Sequence, residues 1–213
     1  MISLYPEVLR LAKSKDYEKL GVSIRRCFLS EQQARPQLAV ADLLDEMGFD
    51  VIEDASIAYL AVTLMVQSQG KLDSTIILQK RGADFKANFL LAHCLGHALL
   101  HLQFELLERS QTRAGFRETQ YTLETFMQTD FTAAPVQKAA LYEHEADLFA
   151  AALLLPQAMF VRAMQRLPRV QQVAEMFAVP APFVVARKRC LGLDIMERAA
   201  TRSDTSSPVS PRS

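Results

Sequence analysis

Apolar and polar positions alternate with helical spacing from Glu7 to about Ser30, which reads as one or two helices with Gly21 as a candidate break. A second helical pattern starts after Pro36, carried by Leu38, Val40, Ala41, Leu43, Leu44 and Met47, and Gly48 stops it. The pattern then changes period. Residues 49–53, 59–67 and 74–79 are rich in β-branched and aromatic side chains, and Ser68-Gln69-Gly70-Lys71 reads as the turn joining the last two. These stretches predict a small three-stranded antiparallel sheet. A long apolar helix follows over about 86–107, then a polar stretch, then a strongly helix-forming run over 141–155 that Pro156 ends. Residues 170–189 read as a short helix–turn–helix. The predicted class is α+β: a sheet packed on a central helix, followed by a mostly helical C-terminal half.

The helix over 86–107 carries the candidate chemistry. His93 and His97 stand at i and i+4 on one face, the spacing that holds a single metal ion. The pair could instead be ordinary core or surface histidines. Against that, three of the chain's four histidines lie at 93, 97 and 101. The flanks, Asn88-Phe89-Leu90-Leu91-Ala92 and Ala98-Leu99-Leu100, also suit a buried helix, where an unpaired imidazole is costly. His101 lies one turn beyond His97, ~6 Å along the axis, too far to share the ion. It is read as a residue behind the ligands or a structural one, and His144 as a surface histidine.

A carboxylate can come from the helix over 141–155. There Glu143, Asp147 and Ala150 fall roughly on one side, and Glu145, Leu148 and Ala152 on another. A Glu brought to two His completes the three-ligand site of a catalytic zinc, with one position open. Asp147 is suited to accept the free ring N–H of a ligand histidine, which fixes its tautomer and orientation. These acids could otherwise be a solvated helix face; that reading is taken for Glu143 and not for Glu145.

Composition narrows the classes. The chain has 213 residues, 50% of them hydrophobic, enough for one compact domain with at most a small appendage. Basic and acidic residues balance at 24 each, so no overall basic field favours nucleic acid. From 161 to 202 eight Lys/Arg face three acids, but no base-reading signature accompanies them, and nucleic-acid binding is not expected. No run approaches the ~20 apolar residues that span a bilayer, and no signal-peptide pattern opens the chain. Three cysteines, Cys27, Cys94 and Cys190, are odd in number and far apart, as expected of free thiols in a reducing cytoplasm. The tail from Thr201 is poor in hydrophobics and expected to be disordered.

Together the two motif helices resemble the ImmA/IrrE family of zinc metallo-endopeptidases. That family carries a helix similar to Phe-x-Leu-Ala-His-Glu-Leu-Gly-His-x-Leu-Leu-His, then one similar to Glu-Ala-Asn/Asp-x-Phe-Ala-Ala-x-Leu-Leu-x-Pro. Here the counterparts are Phe89-Leu90-Leu91-Ala92-His93-Cys94-Leu95-Gly96-His97-Ala98-Leu99-Leu100-His101 and Glu145-Ala146-Asp147-Leu148-Phe149-Ala150-Ala151-Ala152-Leu153-Leu154-Leu155-Pro156. The resemblance spans about residues 37–193 and implies zinc held by His93, His97 and Glu145. It leaves residues 1–35 without a role. Residues 108–138 are a longer excursion than the compact family pattern needs. Phe116, Tyr121, Phe126 and Phe131 suggest an ordered insert, covering the metal cleft or running over the surface.

Cys94 departs from the pattern, because it occupies the position of the Glu that serves as general base. A thiol is shorter by two bonds and, with an ordinary pKa near 8.5, mostly protonated at neutral pH. Joint ligation by Cys94 and His93 is disfavoured, because adjacent helix positions point ~100° apart. General-base catalysis contributes about 10²–10⁴-fold, so peptidase activity is expected to be impaired or lost. Two functions follow: a silenced relative that keeps the fold and binds a partner such as a helix–turn–helix repressor, or an active zinc endopeptidase that cuts one.

Overall fold

The computed structural model describes residues 6–29, 36–69, 71–79, 85–109, 112–118, 122–128, 137–167 and 169–193. The α+β expectation holds, with helices packed around one sheet of β1 (Phe49–Glu53), β2 (Ala61–Ser68), β3 (Lys71–Leu78) and β4 (Arg113–Glu118). Among the described residues the sheet has four strands rather than three, in the order β1-β3-β2-β4. β2 and β3 form the expected hairpin, paired from Ala61↔Leu78 to Ser68↔Lys71, with Gln69 at φ 50° in the turn. β1 lies beside β3 and parallel to it, so the sheet is mixed. β1 and β2 are not neighbours because β3 folds back between them.

The fourth strand comes from the excursion after the helix that carries His93 and His97. In Arg113–Glu118 only alternate residues, Ala114, Phe116 and Glu118, turn inward, while Arg113, Gly115 and Arg117 are exposed. A one-faced, charged edge strand of this kind carries a weak hydrophobic signal and resists pairing with other chains. The tail from Thr201, and Tyr121 and Phe131 of the excursion, lie outside the described residues.

The central helix is α4 (Phe85–His97); it continues through a π-helical turn, Ala98–Leu102, into α5 (Gln103–Arg109). α3 (Val40–Glu46) is tied to α4 by Asn88, whose side chain accepts from Val40 N at 2.8 Å and donates to Leu38 O at 2.8 Å. α7 (Lys138–Leu154) runs along α4 at very close range. A Cβ on Gly96 would stand 3.0 Å from Ala146 Cα, tighter than ordinary packing, so glycine favours this close approach of the two backbones.

α1 (Pro6–Ser14) and α2 (Tyr17–Phe28) bury Val8, Leu11, Ala12, Leu20 and Ile24 in the same core. Gly21 is not a break. It sits inside α2, where a Cβ would lie 3.1 Å from Leu153 N, and so marks a close crossing with α7.

The C-terminal half is helical, with α8 (Gln157–Arg166), α9 (Val170–Phe177) and α10 (Ala181–Cys190). α9 and α10 form the expected helix–turn–helix, turning through Ala178 at φ 54°. Its basic residues are largely used internally. Arg187, 1% exposed, donates through Nε to Leu155 O at 3.1 Å and pairs with Glu18. Arg189 donates to Met127 O at 2.6 Å, on α6 (Thr122–Gln128). Arg25 of α2 likewise donates to Leu153 O at 3.0 Å, so two cations satisfy carbonyls at the end of α7. Among the described residues no single helix is long and apolar enough to cross a membrane.

Candidate metal centre

On α4 the two i, i+4 histidines converge as their spacing predicts, with His93 Nε2 and His97 Nε2 2.9 Å apart and both rings buried. α7 reaches the same pair from one side. Asp147 Oδ1 accepts from His93 Nδ1 at 2.8 Å, the partnership expected from the sequence. One turn earlier, Glu143 Oε2 lies 3.3 Å from His93 Nε2, and its Oε1 lies 3.7 Å from His97 Nε2. From the opposite side β4 brings Glu118, whose Oε2 lies 3.2 Å from His93 Nε2. One donor atom from each of His93, His97, Glu118 and Glu143 lies within 4.8 Å of every other, so this group could hold a metal ion.

Glu145 does not join this group, contrary to the sequence expectation. Two residues beyond Glu143, it points ~200° around the helix. There its Oε2 accepts from His101 Nε2 at 3.0 Å and its Oε1 pairs with Lys15. Glu143, assigned to a solvated face from sequence, takes the place beside the histidines, its side chain 38% exposed. A signal for this was present: Asp147 identifies the facing side of α7, and Glu143 is one turn back on that side. Glu118 carried no comparable signal, because its position depends on β4 pairing with β2.

His101 stays outside the group, as its height on the helix predicts, and extends the network behind it. His97 Nδ1 and His101 Nδ1 are 3.1 Å apart. Were both Nε2 atoms turned to an ion, the tautomers would follow: His93 Nδ1–H would donate to Asp147, His97 Nδ1–H to His101 Nδ1, and His101 Nε2–H to Glu145. The π-helical turn starts directly after His97 and contains His101; such turns recur at functional sites. Aromatic faces hold both rings: Phe116 stacks on His97 at 3.7 Å and 13°, and Tyr142 on His101 at 4.0 Å and 15°. His144 does not join the group and is partly buried rather than exposed.

Cys94 is 2% exposed and also lies outside the group. Burial pushes its thiol up to about 11, against smaller opposing effects of His93 and Thr63. A neutral thiol turned into the protein is no base.

Electrostatics of the cluster suit a cation. Burial disfavours charge on His93, yet its hydrogen bond to Asp147 and the carboxylates of Glu118 and Glu143 beside it outweigh this and raise its pKa well above the ordinary value. Burial drives His97 down to about 3 and lowers His101 as well. Burial also raises Asp147, while contacts with the two histidines overcome the burial of Glu143 and lower it. Three carboxylates thus converge on one imidazole. Two ring nitrogens, with the His93 proton displaced, and carboxylate oxygens are a donor set that zinc accepts. No protein-family model and no curated protein matches the chain.

Proposed function

We propose that the chain is an ImmA/IrrE-like protein of the zinc metallopeptidase fold whose peptidase activity is impaired or lost. It acts as a regulatory protein on a partner such as a helix–turn–helix repressor. The observation that carries this reading is the burial of Cys94, 2% exposed, at the position where by resemblance such a peptidase carries a carboxylate; burial pushes its pKa up.

His93, His97 and Glu143 would hold the ion, and Asp147 fixes the His93 ring with Nε2 toward it. Zinc in such a site acts as a Lewis acid toward a peptide carbonyl and acidifies water. What the chain itself lacks is a base at position 94 to take the proton, a deficit of about 10²–10⁴-fold. Binding of a partner needs no base and survives that loss.

The test pairs elemental analysis with hydrolysis of fluorescein-labelled unfolded casein by the zinc-loaded full chain. The expected result is about one zinc per chain and cleavage no faster than by the metal-stripped protein. Zinc-dependent, chelator-sensitive cleavage by the wild type would overturn the impaired reading. Immobilised protein incubated with extract of the source cells should recover an intact helix–turn–helix protein; recovery of its fragments instead would indicate a working peptidase.

A further inference from the structure

We infer that Glu118 of β4 is a fourth protein ligand, so that the metal site is closed and the ion fastens edge strand β4 to α4 and α7. This rests on the metal reading of the His93–His97–Glu143 group. It adds a second cause of silence, independent of Cys94.

Distance is the first argument. A tetrahedral zinc with bonds of ~2.0–2.1 Å places its ligand atoms ~3.3–3.4 Å apart. Glu118 Oε2 stands 3.2 Å from His93 Nε2, against 3.3 Å for Glu143 Oε2. The two carboxylates are therefore at equal, ligand-like range from the same nitrogen. A carboxylate acting as base through one water would stand a further hydrogen-bond length, ~2.6–3.2 Å, behind the water.

The strand supplies the second argument. β4 turns Ala114, Phe116 and Glu118 toward the centre, and Phe116 already lies flat on the His97 ring. That contact leaves Glu118, the next inward position, over His93. Its backbone is pinned there by pairing with Ala61 and by Leu60 N donating to Glu118 O at 2.8 Å.

Charge supplies the third. The Glu118 side chain is 5% exposed and faces the same ring nitrogen as Glu143. Two carboxylates and two neutral imidazoles balance a divalent ion. Four protein ligands are the pattern of structural zinc sites, whereas catalytic sites leave one position to solvent.

The experiment uses the full chain loaded with Co²⁺ as a spectroscopic substitute, with azide as the probe of an open position. Wild type should show a tetrahedral visible spectrum that azide leaves unchanged. Glu118→Gln, which keeps shape and removes charge, should weaken Co²⁺ and Zn²⁺ binding by about 100-fold, at or beyond the range seen when a residue behind a ligand is lost. Its spectrum should respond to azide. Hydrogen exchange of the unaltered protein gives a second readout that no variant's folding can confuse: zinc should slow exchange across β4.

A wild-type spectrum that shifts with azide overturns the inference, as does a Glu118→Gln variant with unchanged affinity or β4 exchange indifferent to zinc. In all three cases the metal reading stands. Wild type that takes up neither ion overturns the metal reading itself, and this inference with it.

Discussion

Glu143 and Asp147 stand one turn apart on α7 and address opposite nitrogens of the same ring, with Asp147 Oδ1 2.8 Å from His93 Nδ1 and Glu143 Oε2 3.3 Å from His93 Nε2. One helix thus orients the imidazole and completes the donor set around it. The i, i+4 spacing of the acids on α7 answers the i, i+4 spacing of the histidines on α4.

If Glu143 is the α7 ligand, Glu143→Ala lowers zinc affinity by about 100-fold or more, while Glu145→Ala, acting only through His101, costs about 10-fold. Zinc titration against a chromogenic chelator measures both. The opposite ranking would return the ligand to Glu145.

Cys94→Glu alone restores a carboxylate but leaves Glu118 in the fourth position, so casein hydrolysis stays at the wild-type level. Combined with Glu118→Ala, the same change should raise zinc-dependent hydrolysis by about 10²–10⁴-fold, the usual contribution of a general base. Activity in the single Cys94→Glu variant would mean that the position was open all along.

Gly96 sets the distance between α4 and α7. Gly96→Val forces a branched side chain against Ala146 Cα, which a Cβ alone would meet at 3.0 Å, and against Phe149 at 3.1 Å. Overpacking of this kind costs about 1–3 kcal/mol. Because the helices must part, zinc affinity falls too. Denaturant melts of the metal-free protein and zinc titrations separate the two effects; lost stability with unchanged affinity would refute the link.

Removing the metal lowers stability by linkage. With free zinc at 100 times its Kd, the ion contributes about 2.7 kcal/mol. For a chain of this size that corresponds to a fall in Tm of roughly 5–10 °C on chelation. A melt that is the same with zinc and with chelator would argue against a specific site.

Local pattern determined much of this protein. The change of hydrophobic period placed β1 at Phe49–Glu53 and the β2–β3 hairpin, because a half-buried strand must alternate. Helical spacing put His93 and His97 on one face, kept His101 out of their group, and marked Asp147 as the partner of a histidine ring. The resemblance alone set Cys94 at the position of a base, and the proposed function rests on it.

What neighbours in space decide was not legible. Gly21 looks like a helix break until Leu153 is found where its side chain would be. The choice between Glu143 and Glu145 depends on which side of α7 faces α4, and Gly96 packing on Ala146 sets that angle. Glu118 belongs to a strand with only alternate inward residues, and nothing local distinguishes it from other surface acids. Only the pairing of β4 with β2 carries it to His93, because sheet register is a contact between distant segments, whereas helical periodicity is a property of one.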